Sequence, residues 1–300
     1  MPEAAYEPTG LLGTQIFGLP IDREILFSNH RDIYKTRVEK RQRKLIVKIS
    51  FLKPFLKKGE KVLLVTTGYS PLNSFAQYIT GFVFVYLKRS LLVFTNYRIF
   101  HIPATSQYNY NNSISQVVYT GCESIVLKGG TFSIRYKRSD QRKNEKFRGI
   151  AGSERKKIRY LLKNRISFLG KKWRLSWRIH LCPRCTRYLA ESKAMCPKCR
   201  LRFKSKGMAA LCAILFPGGG YLYIRKYLLG FLVALLEIVL GFHIYYLIIN
   251  TPSQVPLDSM LPVLLPVYLY LKIGAVIHSC HFTDDFIPKD KHIEVVPATE

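Results

Sequence analysis

Two long apolar runs, Leu228–Ile249 and Leu261–Phe282, constrain this 300-residue chain more than anything else in it. Hydrocarbon offers no partner to backbone N–H and C=O groups, so a run of about 20 apolar residues that enters a bilayer has to be a helix. The loop 250–260 between the runs has no Lys or Arg and contains Asp258, whereas Arg225 and Lys226 precede the first run. By the positive-inside rule residues 1–226 and the tail 284–300 are expected in the cytoplasm, with 250–260 outside. A shorter apolar segment, 207–223, is broken by Pro217-Gly218-Gly219-Gly220. It is read as re-entrant, dipping in and turning back at the break. A third span is the alternative and would put Arg225 and Lys226 outside.

Two charges interrupt the runs. Glu237 lies on the same helical face as Gly230, Ala234 and Gly241, and small residues let helices approach, so Glu237 should face protein. With two spans, Lys272 lies at nearly the depth of Glu237, and an unpaired intramembrane charge is costly, so the two are expected to pair. A neutral Glu237 on a proton or ion path is the competing reading. His278, Cys280 and His281 cluster near the end of the second run and read as boundary polar residues rather than a metal site.

Charge is lopsided. The formal net charge is +28, yet residues 207–300 carry five Lys/Arg and seven Asp/Glu, so the first 206 residues hold about +30. A soluble part this basic seeks a polyanion, either anionic lipid headgroups or nucleic acid, and an attached membrane segment makes lipid the nearer partner. Solvated charge with no specific partner is the bland alternative. The N-terminus lacks a basic n-region and an h-region, so no signal peptide is expected.

Between the two halves stand Cys182-Pro183-Arg184-Cys185 and Cys196-Pro197-Lys198-Cys199. Two residues between cysteines let both sulfurs reach one tetrahedral ion, and Arg184 and Lys198 offset the charge of four thiolates. Structural Zn²⁺ is the expected cofactor, with Cys182, Cys185, Cys196 and Cys199 as a complete ligand set. Disulfides, free thiols, an iron–sulfur centre or a redox dithiol are the alternatives. Cys122, Cys212 and Cys280 are scattered, a pattern suited to a reducing compartment. Upstream, Trp173, Leu175, Trp177, Ile179 and Leu181 alternate with polar residues, which predicts a strand. Its tryptophans either cover the ribbon or touch the membrane interface. His180 is expected near the metal without being a ligand.

The remainder divides as follows. Residues 1–58 read as an irregular arm and a basic helix over about 30–50. Residues 59–165 read as a small β domain, with strands at 61–67, 82–87, 91–102, 115–119, 124–127 and 131–136 and a closing helix at about 152–164 capped by Ser153. Residues 137–148 are expected to be a mobile hairpin edge whose Lys137, Arg138, Arg142 and Lys143 offer anion contacts. A zinc ribbon at 171–205, a membrane domain at 207–283 and a tail complete the chain. The fold class is thus α+β and multidomain: a small β-barrel or sandwich with a C-terminal helix, a four-cysteine zinc ribbon and a helical membrane hairpin.

Three resemblances carry residues with them. The Cys stretch resembles zinc ribbons. Gly59-Glu60 together with Val93-Phe94-Thr95-Asn96-Tyr97-Arg98-Ile99-Phe100 resembles bacterial pleckstrin-homology-like and GRAM-like domains, which implies binding to lipid headgroups or protein rather than catalysis. Phe94 departs from that family's usual leucine, and Thr95, Asn96 and Arg98 read first as a turn with its supporting hydrogen bonds. Phe216-Pro217-Gly218-Gly219-Gly220-Tyr221 through Arg225-Lys226 resembles small bacterial membrane modules with a Pro-Gly-x-Gly turn.

No phosphate-binding glycine loop, nucleophile elbow, His-Glu-x-x-His or dinucleotide fingerprint occurs, and no enzyme activity is expected. The leading expectation is a membrane-anchored cytoplasmic binding or scaffold protein in a bacterial inner membrane. A membrane-tethered nucleic-acid binder and a transport component using Glu237 and Lys272 are the alternatives, and no oligomeric state is implied.

Overall fold

The computed structural model describes residues 15–70, 88–105, 107–138, 141–166, 178–189, 194–250, 261–290 and 293. The chain divides into two compact units, one of 1–71, 85–190 and 293–300, the other of 72–84 and 191–292.

The first unit opens with a short hairpin, β1 (Gln15–Ile16) and β2 (Leu19–Pro20), then α1 (Arg23–Phe27), α2 (Thr36–Lys48) and a 3-10 turn over Ser50–Phe55. Strands β3 (Val62–Tyr69), β4 (Arg89–Thr95), β5 (Arg98–Pro103) and β6 (Ile114–Val118) follow. Next come β7 (Ser124–Lys128), β8 (Thr131–Arg138) and β9 (Gln141–Phe147), then helix α3 (Gly152–Asn164). Strands β10 (Ile179–Leu181) and β11 (Tyr188–Leu189) join the first group to make a six-stranded antiparallel sheet of order β11-β10-β6-β5-β4-β3. Strands β7, β8 and β9 form a second sheet.

Period-two alternation explains the layering. Leu91 and Val93 of β4 enter one apolar core with Val65, Phe100, Ile102 and Ile114, beneath Leu26, Phe27, Leu45, Ile46, Ile49, Leu52 and Phe55 of the N-terminal segment. Leu92 and Phe94 enter the other with Leu64, Ile99 and Val117, facing Phe132, Ile134 and Phe147 of the second sheet and Ile158 and Leu161 of α3. Phe94 meets Phe132 edge to face at 5.5 Å. A sheet covered on both faces needs continuous apolar strands, which is why Leu91-Leu92-Val93-Phe94 has no polar interruption. The two sheets are bridged at Tyr69 and Arg148, but no barrel closes among the described residues.

The N-terminal segment is therefore a layer of the β unit from residue 15 onward. Helix α2 starts at Thr36, later than expected, and buries Gln42, Leu45 and Ile46. The Gln42 amide donates to the Val65 carbonyl at 2.8 Å and accepts from the Val65 N–H at 3.0 Å. A side-chain amide thus satisfies backbone groups on the outer edge of β3, an edge that would otherwise invite pairing.

Other expectations need correction. The strand expected over 91–102 is two strands, because the Thr95 hydroxyl accepts from the Tyr97 and Arg98 N–H groups and folds the chain into a tight hairpin. The hairpin edge expected over 137–148 is present, formed by the end of β8 and by β9, which pairs with β8 over its whole length and is anchored by buried Phe147. Ser153 lies inside α3, whose N-cap is Ala151, without a side-chain cap bond. The strand expected through Trp173 and Trp177 is described only as Ile179–Leu181, paired antiparallel to β6. Residues 82–87 and both tryptophans lie outside the described residues.

The second unit contains α4 (Lys206–Leu215), α5 (Gly219–Tyr223), α6 (Tyr227–Asn250) and α7 (Leu261–Thr283). Helices α6 and α7 are long and apolar enough to cross a membrane, and only 6% and 17% of their apolar windows are buried. A core helix of a soluble protein would be covered.

Helix α4 runs alongside α7 in the opposite sense. The Cys280 thiol reaches the Lys206 carbonyl near one end, and Lys272 Nζ donates to the Ala213 carbonyl near the other. The chain then turns at Pro217-Gly218 and returns as α5, where the Tyr221 hydroxyl meets His278 Nδ1 at 2.8 Å. Lys206 pairs with Asp284, and Arg225 donates to the carbonyls of Lys289 and Asp290, so segment 206–225 begins and ends near the C-terminal end of α7. Arg225, at φ 65°, closes the α5 turn as Lys226 N–H donates to the Tyr221 carbonyl.

Candidate metal centre and buried charge sites

The Sγ atoms of Cys182, Cys185, Cys196 and Cys199 all lie within 4.8 Å of one another; the first three residues are buried and Cys199 is half-buried. No disulfide joins any of the seven cysteines, all of which lie among the described residues. Sulfurs about 2.3 Å from a shared tetrahedral ion stand about 3.8 Å apart, so the cluster fits a metal. The backbone repeats itself around the two pairs. Thr186 N–H donates to the Cys182 carbonyl at 3.0 Å, and Cys182 N–H to the Arg187 carbonyl at 2.8 Å. Arg200 N–H donates to the Cys196 carbonyl at 3.0 Å, and Cys196 N–H to the Leu201 carbonyl at 2.8 Å. Thr186 and Arg200 both have φ 58°. Two identical knuckles present their thiols toward one point, each closed by a left-handed residue. Non-glycine residues take that conformation at a cost of about 1 kcal/mol. His180 is buried on β10 and is not a member of the group.

The residues that carry the pleckstrin-like resemblance converge on a buried ion pair. Arg98 Nη2 lies 2.7 Å from Glu60 Oε2, with the two side chains 4% and 0% exposed. Glu60 also accepts from Arg98 Nε at 2.9 Å, the Thr95 hydroxyl at 2.8 Å and the Lys57 N–H at 2.9 Å. Arg98 further donates to the Phe55 carbonyl at 2.7 Å and to Gln116, and stacks over Phe100. Asn96 accepts from Lys61 N–H and donates to the Gly59 carbonyl. Glycine, glutamate, threonine, asparagine and arginine thus tie the start of β3 to the β4–β5 turn.

Glu237 forms the second buried pair. Its Oε2 lies 2.9 Å from Lys272 Nζ and accepts the Gly218 N–H at 3.0 Å. Gly218 has φ 62°, and a Cβ there would stand 2.1 Å from the Gly230 carbonyl oxygen, so only glycine fits. The Oε1 atom is buried and has no hydrogen-bond partner among the described residues.

Sequence reasoning missed a third charged cluster, under α3. Glu154 accepts from the Thr66 hydroxyl and pairs with Arg41 at 2.8 Å, and burial raises its pKa. Lys157 Nζ donates to the carbonyls of Ile25, Leu26 and Ser28, capping the end of α1, and burial pulls its pKa down to about 8. The only signal was their place on the helical face of Ile158 and Leu161. The expected anion contacts Lys137, Arg138, Arg142 and Lys143 do come to one hairpin, with Lys137 opposite Arg142 and Tyr136 opposite Lys143; Arg142 makes a long, exposed pair with Glu123 at 3.8 Å.

No family model, curated protein or solved structure matches this chain.

Proposed function

We propose that this is a membrane-anchored binding protein that engages anionic lipid surfaces or an acidic partner through the basic surface of its β unit. The observation that carries the reading is the placement of α2. Its apolar face is consumed by the core, so Arg37, Lys40, Arg41 and Lys44 are left along a surface groove of about 420 Å³ floored by Leu45, Thr67 and Tyr108. Arg41 pairs with Glu154, but Arg37, Lys40 and Lys44 make no ion pair among the described residues, and a row of cations draws polyanions. The resemblance of residues 59–60 and 93–100 to pleckstrin-like domains suggests the same class of function, but not through Thr95, Asn96 and Arg98 as contacts, since these are occupied internally.

In this reading α6 and α7 cross a bacterial inner membrane and residues 1–226 are cytoplasmic. Glu237 lies ten residues into α6 and Lys272 eleven from the end of α7, about 15 Å of helix in each case, which is half of a hydrocarbon core of about 30 Å. Segment 206–223 is then a re-entrant hairpin whose tip reaches that depth. The cysteine cluster holds structural Zn²⁺, which supplies cross-linking and no open coordination position.

The test uses the full chain, zinc-loaded, in neutral nanodiscs, mixed with anionic or neutral vesicles with and without RNA and DNA. Retention on anionic vesicles despite nucleic acid is expected. Displacement by nucleic acid at modest salt would transfer the reading to a nucleic-acid binder, and binding to neither would leave a protein partner. Metal analysis of the same sample should give one zinc per chain.

A further inference from the structure

A cavity of about 580 Å³ lies between the β7–β8 turn, the start of α3 and residues 29–30. Its lining includes His30, Arg155, Lys156 and Arg159, and no carboxylate. Acids close in sequence to the lining residues are engaged elsewhere: Glu154 with Thr66 and Arg41, Asp32 with Tyr160 and Arg165. Arg155 is the unusual member. It is half-buried, its Nε is buried without a hydrogen-bond partner, and its guanidinium makes no ion pair among the described residues. Burying part of a guanidinium without an acceptor is costly, and such a group is normally found with its anion.

The glycines on either side leave room for it. A Cβ on Gly130, itself at φ 82°, would stand 2.6 Å from Arg155 Nη1, and one on Gly152 would stand 3.5 Å from Nη2. The Gly152 and Ser153 residues that open α3 form part of the same wall, and no side chain caps that helix end. A helix end alone would be ordinary. The volume, the convergence of cations and the unanswered guanidinium are what make a site.

We propose that this cavity binds a phosphate group, with Arg155 as the principal contact, Lys156 and Arg159 as supporting cations and His30 as a further polar contact. Arginine matches the planar, two-oxygen edge of phosphate, and the volume exceeds a single phosphate, leaving room for the group that bears it. The bearer is either a phosphorylated lipid headgroup or a soluble phosphate compound. The site is separate from the α2 groove, and it deepens the anion-binding reading above, on which it rests.

The experiment measures binding of inorganic phosphate and pyrophosphate to the full chain in neutral nanodiscs, and separately of vesicles carrying a phosphatidylinositol phosphate against charge-matched phosphatidylserine vesicles. Arg155→Gln and the exposed Lys156→Gln are compared with Lys58→Gln, which removes the same charge from an exposed position that lines neither the cavity nor the α2 groove. Saturable binding of either probe class that falls at least tenfold in Arg155→Gln and severalfold in Lys156→Gln, with Lys58→Gln within twofold of wild type, is the expected result. Soluble-only binding assigns a soluble ligand, and preference for the phosphoinositide vesicle assigns a lipid. No saturable binding of either probe class, or equal losses in Lys156→Gln and Lys58→Gln, overturns the site. Anionic vesicle binding that survives such an outcome leaves the α2 reading intact, so the two failures are distinguishable.

Discussion

Two buried ion pairs hold two turns in this molecule, and they are built differently. In the β unit Glu60 accepts four donors, from Lys57, Thr95 and Arg98, and both of its oxygens are used. In the helical unit Glu237 accepts two donors, from Gly218 and Lys272, both on Oε2. The first network is saturated, so each removal leaves another buried group stranded. The second is economical, and its glutamate acts as a carbonyl toward the Gly218 turn as much as a counter-ion toward Lys272. Charge burial by itself therefore says little about role; the count of satisfied lone pairs says more.

Substitutions can break this contrast. Glu60→Gln, which strands Arg98 in a 4% exposed position, is expected to destabilise the β unit by about 3–5 kcal/mol in denaturant titrations. Glu237→Gln keeps a carbonyl oxygen for Gly218 and leaves Lys272, whose side chain is 16% exposed, a route to other acceptors; a loss of about 1–2 kcal/mol is expected in detergent unfolding. Equal costs for the two would erase the distinction. The exchange Glu237→Lys with Lys272→Glu sharpens it further. A simple ion pair would be rescued by the exchange, whereas here the Gly218 N–H loses its acceptor, so stability should stay below that of Glu237→Gln.

Smaller effects probe the layers around these sites. Thr95→Ala removes the hydroxyl that accepts from two backbone amides and should cost about 1–2 kcal/mol. Lys157 offers a pH test. Its folded pKa is depressed to about 8 from an ordinary value near 10.5, so the unfolded chain binds the proton more tightly between those values. Stability of the β unit should therefore rise as pH rises from about 8 to 10.5, and Lys157→Met should flatten that rise. The smallest effect is of opposite sign: Arg200→Gly relieves the left-handed strain of one knuckle and should raise stability by up to about 1 kcal/mol.

How much was legible in the sequence follows from the range of each interaction. The cysteine cluster, the two long apolar helices and the doubled-back segment at Pro217-Gly218 are local patterns, and spacing alone pointed to them. The start of β8 and both ends of α3 also followed from local alternation and helical spacing, whereas β8 runs on to Arg138, past the expected end at Tyr136. The turn at Thr95–Arg98 was legible in Thr95, Asn96 and Arg98, and the hydrogen bonds of Thr95 and Asn96 bear it out; what stayed hidden was that it divides the strand expected over 91–102, because apolar residues run through both sides and no glycine marks the hairpin. Strand β9 was hidden because its outward residues are charged and its single anchor, Phe147, comes last. Gln42 reaching Val65, and Lys157 reaching three carbonyls of α1, join residues far apart in the chain, and no local pattern encodes them.

The most direct test of the account is whether recognition lies on the cations of α2 rather than in the pleckstrin-like motif. Binding to anionic vesicles would be measured for the full chain in neutral nanodiscs with Arg37, Lys40 and Lys44 changed together to Gln, and in parallel with Thr95→Ala. The account predicts at least a tenfold loss for the α2 variant, with a reduced salt dependence, and unchanged binding for folded Thr95→Ala. Undiminished binding by the α2 variant, or a loss confined to Thr95→Ala, would contradict it.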